Sequence, residues 1–161
     1  MKLGKRLRAA AALLLSAVML LWTGLPVTAA YENTHNNTGK PSQDILAAAE
    51  SQLGYTTPAD GAKYNHWYGA VNGNYTYSWC QTFLSWCAEQ AEIGTDVFPK
   101  AVSVASAYAA FAGQKRYQKS AAQGGSYTPR AGDVAFYSEN GDADALSHVG
   151  LVTGAENGTL Y

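Results

Sequence analysis

Two residues of this chain have the types that thiol chemistry requires. Cys80 lies in Ser78-Trp79-Cys80-Gln81-Thr82-Phe83-Leu84-Ser85-Trp86-Cys87-Ala88, and His148 lies in Leu146-Ser147-His148-Val149-Gly150-Leu151-Val152. A thiol becomes a nucleophile near neutral pH only when a base takes its proton, and imidazole is the side chain best matched to that task. Cys80 falls where a helix should begin. There its sulfur lies near unsatisfied backbone N–H groups and the positive end of the helix dipole, both of which stabilise a thiolate. Its own N–H, or a neighbour's, could face the oxyanion formed on an attacked carbonyl. Cys87 falls mid-helix on the apolar side and reads as core, a common place for a free cysteine.

Three histidines compete as the base. His35 sits in a polar stretch with nothing evident to hold it. His66, within Lys63-Tyr64-Asn65-His66-Trp67-Tyr68-Gly69, is close in sequence to Cys80 and could line a cleft. His148 belongs to a strand, the rigid setting that a base requires. A lone strand histidine is more often structural. A helix-start cysteine in the same small domain reverses that preference.

The elements around these residues follow from periodicity and turn chemistry. Ser42 could cap a helix through Asp44–Glu50, with Gly54 to end it. Residues 55–78, rich in Gly, Asn and Tyr, lack a helical period and read as an ordered aromatic loop leading to Cys80. From Cys80 to Ala91 the apolar residues Phe83, Leu84, Cys87, Ala88 and Ala91 recur at three- and four-residue spacing, which predicts an amphipathic helix. An Ala-rich helix should cover Val104–Ala112. Gly124-Gly125 and Pro129 then mark a turn, and the period changes. Asp133–Tyr137 and His148–Thr153 read as strands, and Asn157-Gly158 as a hairpin turn into Thr159-Leu160-Tyr161. In the second strand, alternation puts His148, Gly150 and Val152 on one face and Val149 and Leu151 on the other. Helices first and strands last predict an α+β domain, its N-terminal helices packed on a small antiparallel sheet. The chain stops at Tyr161 just as a strand begins to pair, so its C-terminal strands are expected to be truncated.

Composition narrows the setting. Lys2, Lys5, Arg6 and Arg8, the apolar run Ala9–Trp22 and the small residues Val27-Thr28-Ala29-Ala30 have the make-up of a secretory signal peptide over residues 1–30. The apolar run is shorter than the roughly 20 residues of a membrane-spanning helix. Residues 31–41 read as a flexible polar spacer and 42–161 as the functional domain, about 130 residues in all after the signal. Without the four signal-peptide cations, seven Lys and Arg face twelve Asp and Glu, a net charge near −5. There is no basic cluster, which excludes a nucleic-acid partner held by its phosphates. A disulfide between Cys80 and Cys87 is also excluded if both share a helix. Seven residues separate their Cα atoms by about 10.5 Å, beyond the roughly 7 Å limit for a bridge. No Cys-x-x-Cys or His-x-x-x-His pair supports a zinc site, and Asn140, Asp142 and Asp144 lack the ligand series and closing Glu of an EF-hand. Gly-rich phosphate loops are missing as well, so no metal or cofactor is expected. Tyr64, Trp67, Tyr68, Tyr75, Tyr77, Trp79 and Trp86 crowd one short window. Such side chains suit a groove for sugars or peptides, though about half should be core and rim. Trp67, Tyr68 and Trp79 are the candidates for substrate contact.

The stretch Trp79–Ala88 resembles the catalytic-cysteine motif of CHAP domains, the cysteine/histidine-dependent amidohydrolases and peptidases. Three further segments resemble that family in order: Tyr64–Gly69 before the cysteine, the Pro-x-x-Gly-Asp strand Pro129–Tyr137, and the histidine strand His148–Val152. The resemblance covers residues 44–161. It implies a papain-like fold acting on bacterial peptidoglycan, at the N-acetylmuramoyl-L-alanine bond or within the stem peptide or cross-bridge. By that analogy Cys80 is the nucleophile and His148 the base of a secreted, wall-associated, monomeric enzyme. A catalytically silent wall-binding module is the alternative, although a pure binder has no use for the Cys80–His148 pair. Gln81 departs from the small residue most relatives carry after the cysteine. The family's third residue, which orients the histidine, would follow on the next strand, past Tyr161; Glu156 and Asn157 sit in the expected turn. Some relatives bind calcium through acids before the cysteine, but Asn72 and Asn74 offer no carboxylate there.

Overall fold

Helix α3, Cys80–Gln90, is the element around which the others are arranged. It packs against α1 (Pro41–Glu50), α2 (Lys63–Tyr68), α4 (Val104–Gly113) and β2 (His148–Leu151). The structure, a computed structural model, describes residues 32–138 and 145–161. The expected signal peptide and the loop of Asn140, Asp142 and Asp144 therefore lie outside the described residues. A single 3-10 turn, Ala121–Gln123, separates α4 from β1 (Val134–Tyr137). Two short strands, β3 (Ala155–Glu156) and β4 (Thr159–Leu160), follow β2. The domain is α+β, with helices packed against small antiparallel two-stranded sheets, as the element order implied.

The physical reason for the central place of α3 is its composition. Its residues Leu84, Trp86, Cys87 and Ala88 are all buried, and they meet Ile45 and Ala48 of α1, Tyr64 of α2, Phe111 of α4 and Val149 of β2 in one core. Tyr64 is the aromatic hub, with ring centroids 4.9–5.4 Å from those of Tyr55, Trp79, Phe83 and Trp86. Removing Leu84 from this packing should cost about 3 kcal/mol.

Strands β1 and β2 pair antiparallel in the register Val134↔Leu151, Ala135↔Gly150, Phe136↔Val149 and Tyr137↔His148. The pair continues past the strand ends, through Val152 N to Asp133 O and Gly132 N to Val152 O, both 2.8 Å. Gly132 has φ +92°, and a Cβ on it would lie 2.5 Å from Ser42 Cβ. Only glycine lets the start of β1 approach α1 this closely. At the other hairpin Asn157 and Gly158 have φ of +51° and +80°, the positive values that a two-residue turn of the expected kind needs.

Several expectations are corrected. Lys40, not Ser42, occupies the N-cap of α1, with Pro41 in the first turn, so Ser42 is already helical. The helix ends at Glu50, and Gly54 closes the turn beyond it. The polar stretch before α1 is tied down from Asn33 on, where the sequence suggested flexibility. Asp44 is only 1% exposed, and its carboxylate accepts from His35 Nε2 (2.8 Å), Thr38 N and Oγ1 (2.9 Å each) and Lys40 N (3.0 Å). A buried carboxylate needs partners, and the polar segment supplies them. Asn37 also donates to the carbonyl of Gln90 at the end of α3 (2.9 Å). Helix α2 lies inside the stretch read as loop; six residues are too few to display a helical period. The alternation expected for β2 stops at Leu151, because Val149 and Val152, three residues apart, are both buried. Glu156 belongs to β3 rather than to the turn. Among the described residues no helix is long and apolar enough to cross a membrane.

Candidate active site

Cys80 is the first residue of α3, with Trp79 at the N-cap and no side chain capping the end. The first backbone bond of the helix runs from Phe83 N to Trp79 O at 2.8 Å. The N–H groups of Cys80, Gln81 and Thr82 therefore have no carbonyl a turn earlier to receive them, which leaves an array of donors beside the half-buried sulfur. Both cysteines are free, as helix geometry required. Cys87 is fully buried, and that burial pushes its thiol well above the ordinary range. It is a core residue in position and in chemistry.

The approach to Cys80 is fixed by polar groups that the sequence did not single out. Asn65 of α2 is 0% exposed. Its Nδ2 donates to the carbonyls of both Tyr75 and Tyr77 at 2.8 Å, and its Oδ1 accepts from the Thr82 hydroxyl at 2.6 Å. The Thr82 hydroxyl also reaches Trp79 O (3.1 Å), and Tyr77 OH donates to Gly69 O (2.7 Å). Burial, with the nearby Tyr68 and Tyr75 hydroxyls, raises the Tyr77 phenol above its usual range. Gly61 closes the far side of this loop: at φ +113° it lies so near Tyr75 that a Cβ would come 2.3 Å from the Tyr75 carbonyl oxygen. Ser78 Oγ lies 3.7 Å from Cys80 Sγ. Gln81 is buried with its Nε2 on Ser85 Oγ (3.2 Å), while its Oε1 has no hydrogen-bond partner among the described residues.

His148 is the first residue of β2 and is half-buried. Its cross-strand neighbour is Tyr137, whose ring stands edge-on to the imidazole at 5.0 Å and is 46% exposed. Val149, the next residue, anchors β2 in the core against α3. The two other histidines are engaged elsewhere. His35 holds Asp44. His66 stacks on Tyr75 at 4.2 Å and bonds the carbonyl of Asp60 at 3.2 Å.

The three candidate substrate aromatics do not form one surface. Trp79 flanks Cys80 but is half-buried, with Tyr55, Tyr64 and Phe83 rings 5.4–6.0 Å away. Trp67 donates from Nε1 to Glu89 Oε1 (2.8 Å), and Lys100 Nζ sits over its ring at 3.9 Å and over the Tyr68 ring at 5.7 Å. Glu89 is near the far end of α3, about 13.5 Å along the axis from Cys80. Among the described residues, open cavities of about 500 and 1070 Å³ are lined by neither Cys80 nor His148. Among the described residues no three His, Cys, Asp or Glu side chains are grouped to hold a metal ion.

A helix that opens on a free cysteine packs against a strand that opens on a histidine, within an α+β domain. Residues 71–161 match the family model described as CHAP domain, and the chain belongs to that family. CHAP domains are amidases and peptidases that act on peptidoglycan outside the cytoplasm. The match begins at Val71, so α1, α2 and the Tyr64–Gly69 segment precede it. No curated protein and no solved structure matches the chain.

Proposed function

We propose that the chain is a secreted peptidoglycan hydrolase, cleaving either the N-acetylmuramoyl-L-alanine amide or an amide of the stem peptide or cross-bridge. The observation that carries this reading is the packing of α3, opened by Cys80, on β2, opened by His148, within the span matched by the CHAP family. His148 takes the Cys80 proton, and the sulfur attacks the amide carbonyl carbon. Backbone N–H groups at the start of α3 face the oxyanion. The C–N bond breaks as His148 returns the proton to the leaving amine, and a thioester remains. Water, deprotonated by His148, then releases the acid and restores the thiol. Trp79 meets substrate beside Cys80, and Trp67 with Tyr68 meets a more distant part of the polymer. The enzyme acts as a monomer on the wall, and the make-up of residues 1–30 supports export.

Digestion of purified peptidoglycan by the full chain, beside Cys80→Ala, tests the proposal, with fragments identified by mass spectrometry. Free stem peptides with intact glycan strands mean amidase activity; split cross-links mean endopeptidase activity. If both proteins release nothing yet still sediment with the wall, the enzyme reading fails and a binding module replaces it.

A further inference from the structure

The geometry points to Ser78 as a further catalytic residue, whose hydroxyl donates to the Cys80 sulfur as that sulfur gives up its proton. This rests on the assignment of Cys80 as nucleophile. The 3.7 Å separation of Ser78 Oγ and Cys80 Sγ is within reach for sulfur, whose larger radius lengthens its hydrogen bonds. A thiol and a hydroxyl can each donate, but a thiolate only accepts, so ionisation of Cys80 fixes the direction of the bond.

What makes the contact more than a chance approach is the anchoring on either side of it. The carbonyl of Tyr77, immediately before Ser78, is held by Asn65 Nδ2, and the carbonyl of Trp79, immediately after, by the backbone N–H of Phe83. Asn65 and Thr82 are themselves joined and buried. The Ser78 backbone is therefore fixed relative to the first turn of α3, and only its side-chain rotamer remains to be set. Ser78 is exposed, and Cys80 beside it is half-buried.

Donation to sulfur acts twice. It meets the negative charge that collects on sulfur as His148 takes the proton before attack. During deacylation the thioester C–S bond breaks, its electron pair returns to sulfur, and the same hydroxyl receives the re-formed thiolate. Ser78 transfers no proton in either step; the proton moves between Cys80, His148 and the leaving amine.

The test compares the full chain with Ser78→Ala and Ser78→Thr. Iodoacetamide alkylation of Cys80 is followed at pH 6, and kcat and KM are measured on solubilised peptidoglycan fragments. Ser78→Ala should alkylate about tenfold more slowly, with kcat down about tenfold and KM unchanged, the scale of one hydrogen bond to a charged group. Ser78→Thr, which keeps the hydroxyl, should restore most of both. Alkylation and kcat equal to wild type in Ser78→Ala overturn the assignment. So does a loss confined to KM, or one that Ser78→Thr fails to recover. A wild-type Cys80 that alkylates no faster than free cysteine strikes the nucleophile assignment itself, a result distinct from an unchanged Ser78→Ala.

Discussion

The nucleophile end and the histidine end of this domain are built by different means. On the Cys80 side, a buried side chain holds backbone carbonyls directly: Asn65 grips Tyr75 and Tyr77, and is itself held by the Thr82 hydroxyl. On the His148 side, two strands of four residues each meet edge to edge, and their strongest tie to the core is Val149. The ring beside the imidazole belongs to the half-exposed Tyr137. The difference teaches that hydrogen bonds define the sulfur's surroundings whereas strand pairing and ring contact define those of the imidazole. Removing a polar anchor leaves buried groups unpaired, but trimming an exposed ring leaves only solvent.

Both ends should be indispensable to chemistry, which gives the largest expected effect. Cys80→Ala and His148→Ala should each lower peptidoglycan release at least about a thousandfold, while their thermal melts stay near wild type. If His148→Ala keeps substantial activity, the histidine end is not the base and the comparison loses one of its members. Asn65→Ala should destabilise the fold by about 3 kcal/mol in urea, since it leaves the Tyr75 and Tyr77 carbonyls without their donor. Tyr137→Ala, its counterpart on the other side, should cost under about 1 kcal/mol of stability, as exposed positions do. Its activity should nevertheless fall about tenfold, because the ring that flanks the imidazole is gone. Equal stability losses for the two variants would erase the contrast between polar anchoring and surface packing.

The smallest effect concerns how far polar anchoring reaches into the helical half. Asp44 is held well below the usual carboxylate range, first by the hydrogen bond from His35, then by Thr38 and Lys40, against an opposing desolvation. A carboxyl depressed in the folded state adds stability above its unfolded value of about 3.9. That contribution shrinks as pH falls below this value and is lost only once pH falls through the lowered folded value. Urea midpoints measured from pH 7 to pH 3 should therefore drop more steeply for wild type than for Asp44→Asn. Parallel profiles would mean that the 33–40 segment is held by something other than this carboxylate.

Much of the architecture is legible in local pattern. The spacing of Phe83, Leu84, Cys87 and Ala88 announces α3, and Cys80 at its start follows from where that pattern begins. Asn157-Gly158 announces the last hairpin because few other residues accept two successive positive φ values. Helix α2 leaves no such signal, being shorter than two turns. Asn65 and Asp44 look like ordinary surface residues in the sequence, and Ser78 like any loop serine. Nothing local separates a polar side chain that will be buried from one that will not.

The amino-acid sequence by itself determined the helix-first α+β order, the free state of both cysteines, and the Cys80 and His148 candidates. Each of these depends on residue type and on neighbours a few positions away. The tertiary structure alone decided that Asn65 lies against Tyr75, Tyr77 and Thr82, that Asp44 gathers the 33–40 segment, and that Tyr137 stands beside His148. It also placed Trp67 with Glu89 and Lys100, far along α3 from Cys80. These partnerships form between residues that chain folding brings together, where burial removes water and makes each hydrogen bond obligatory.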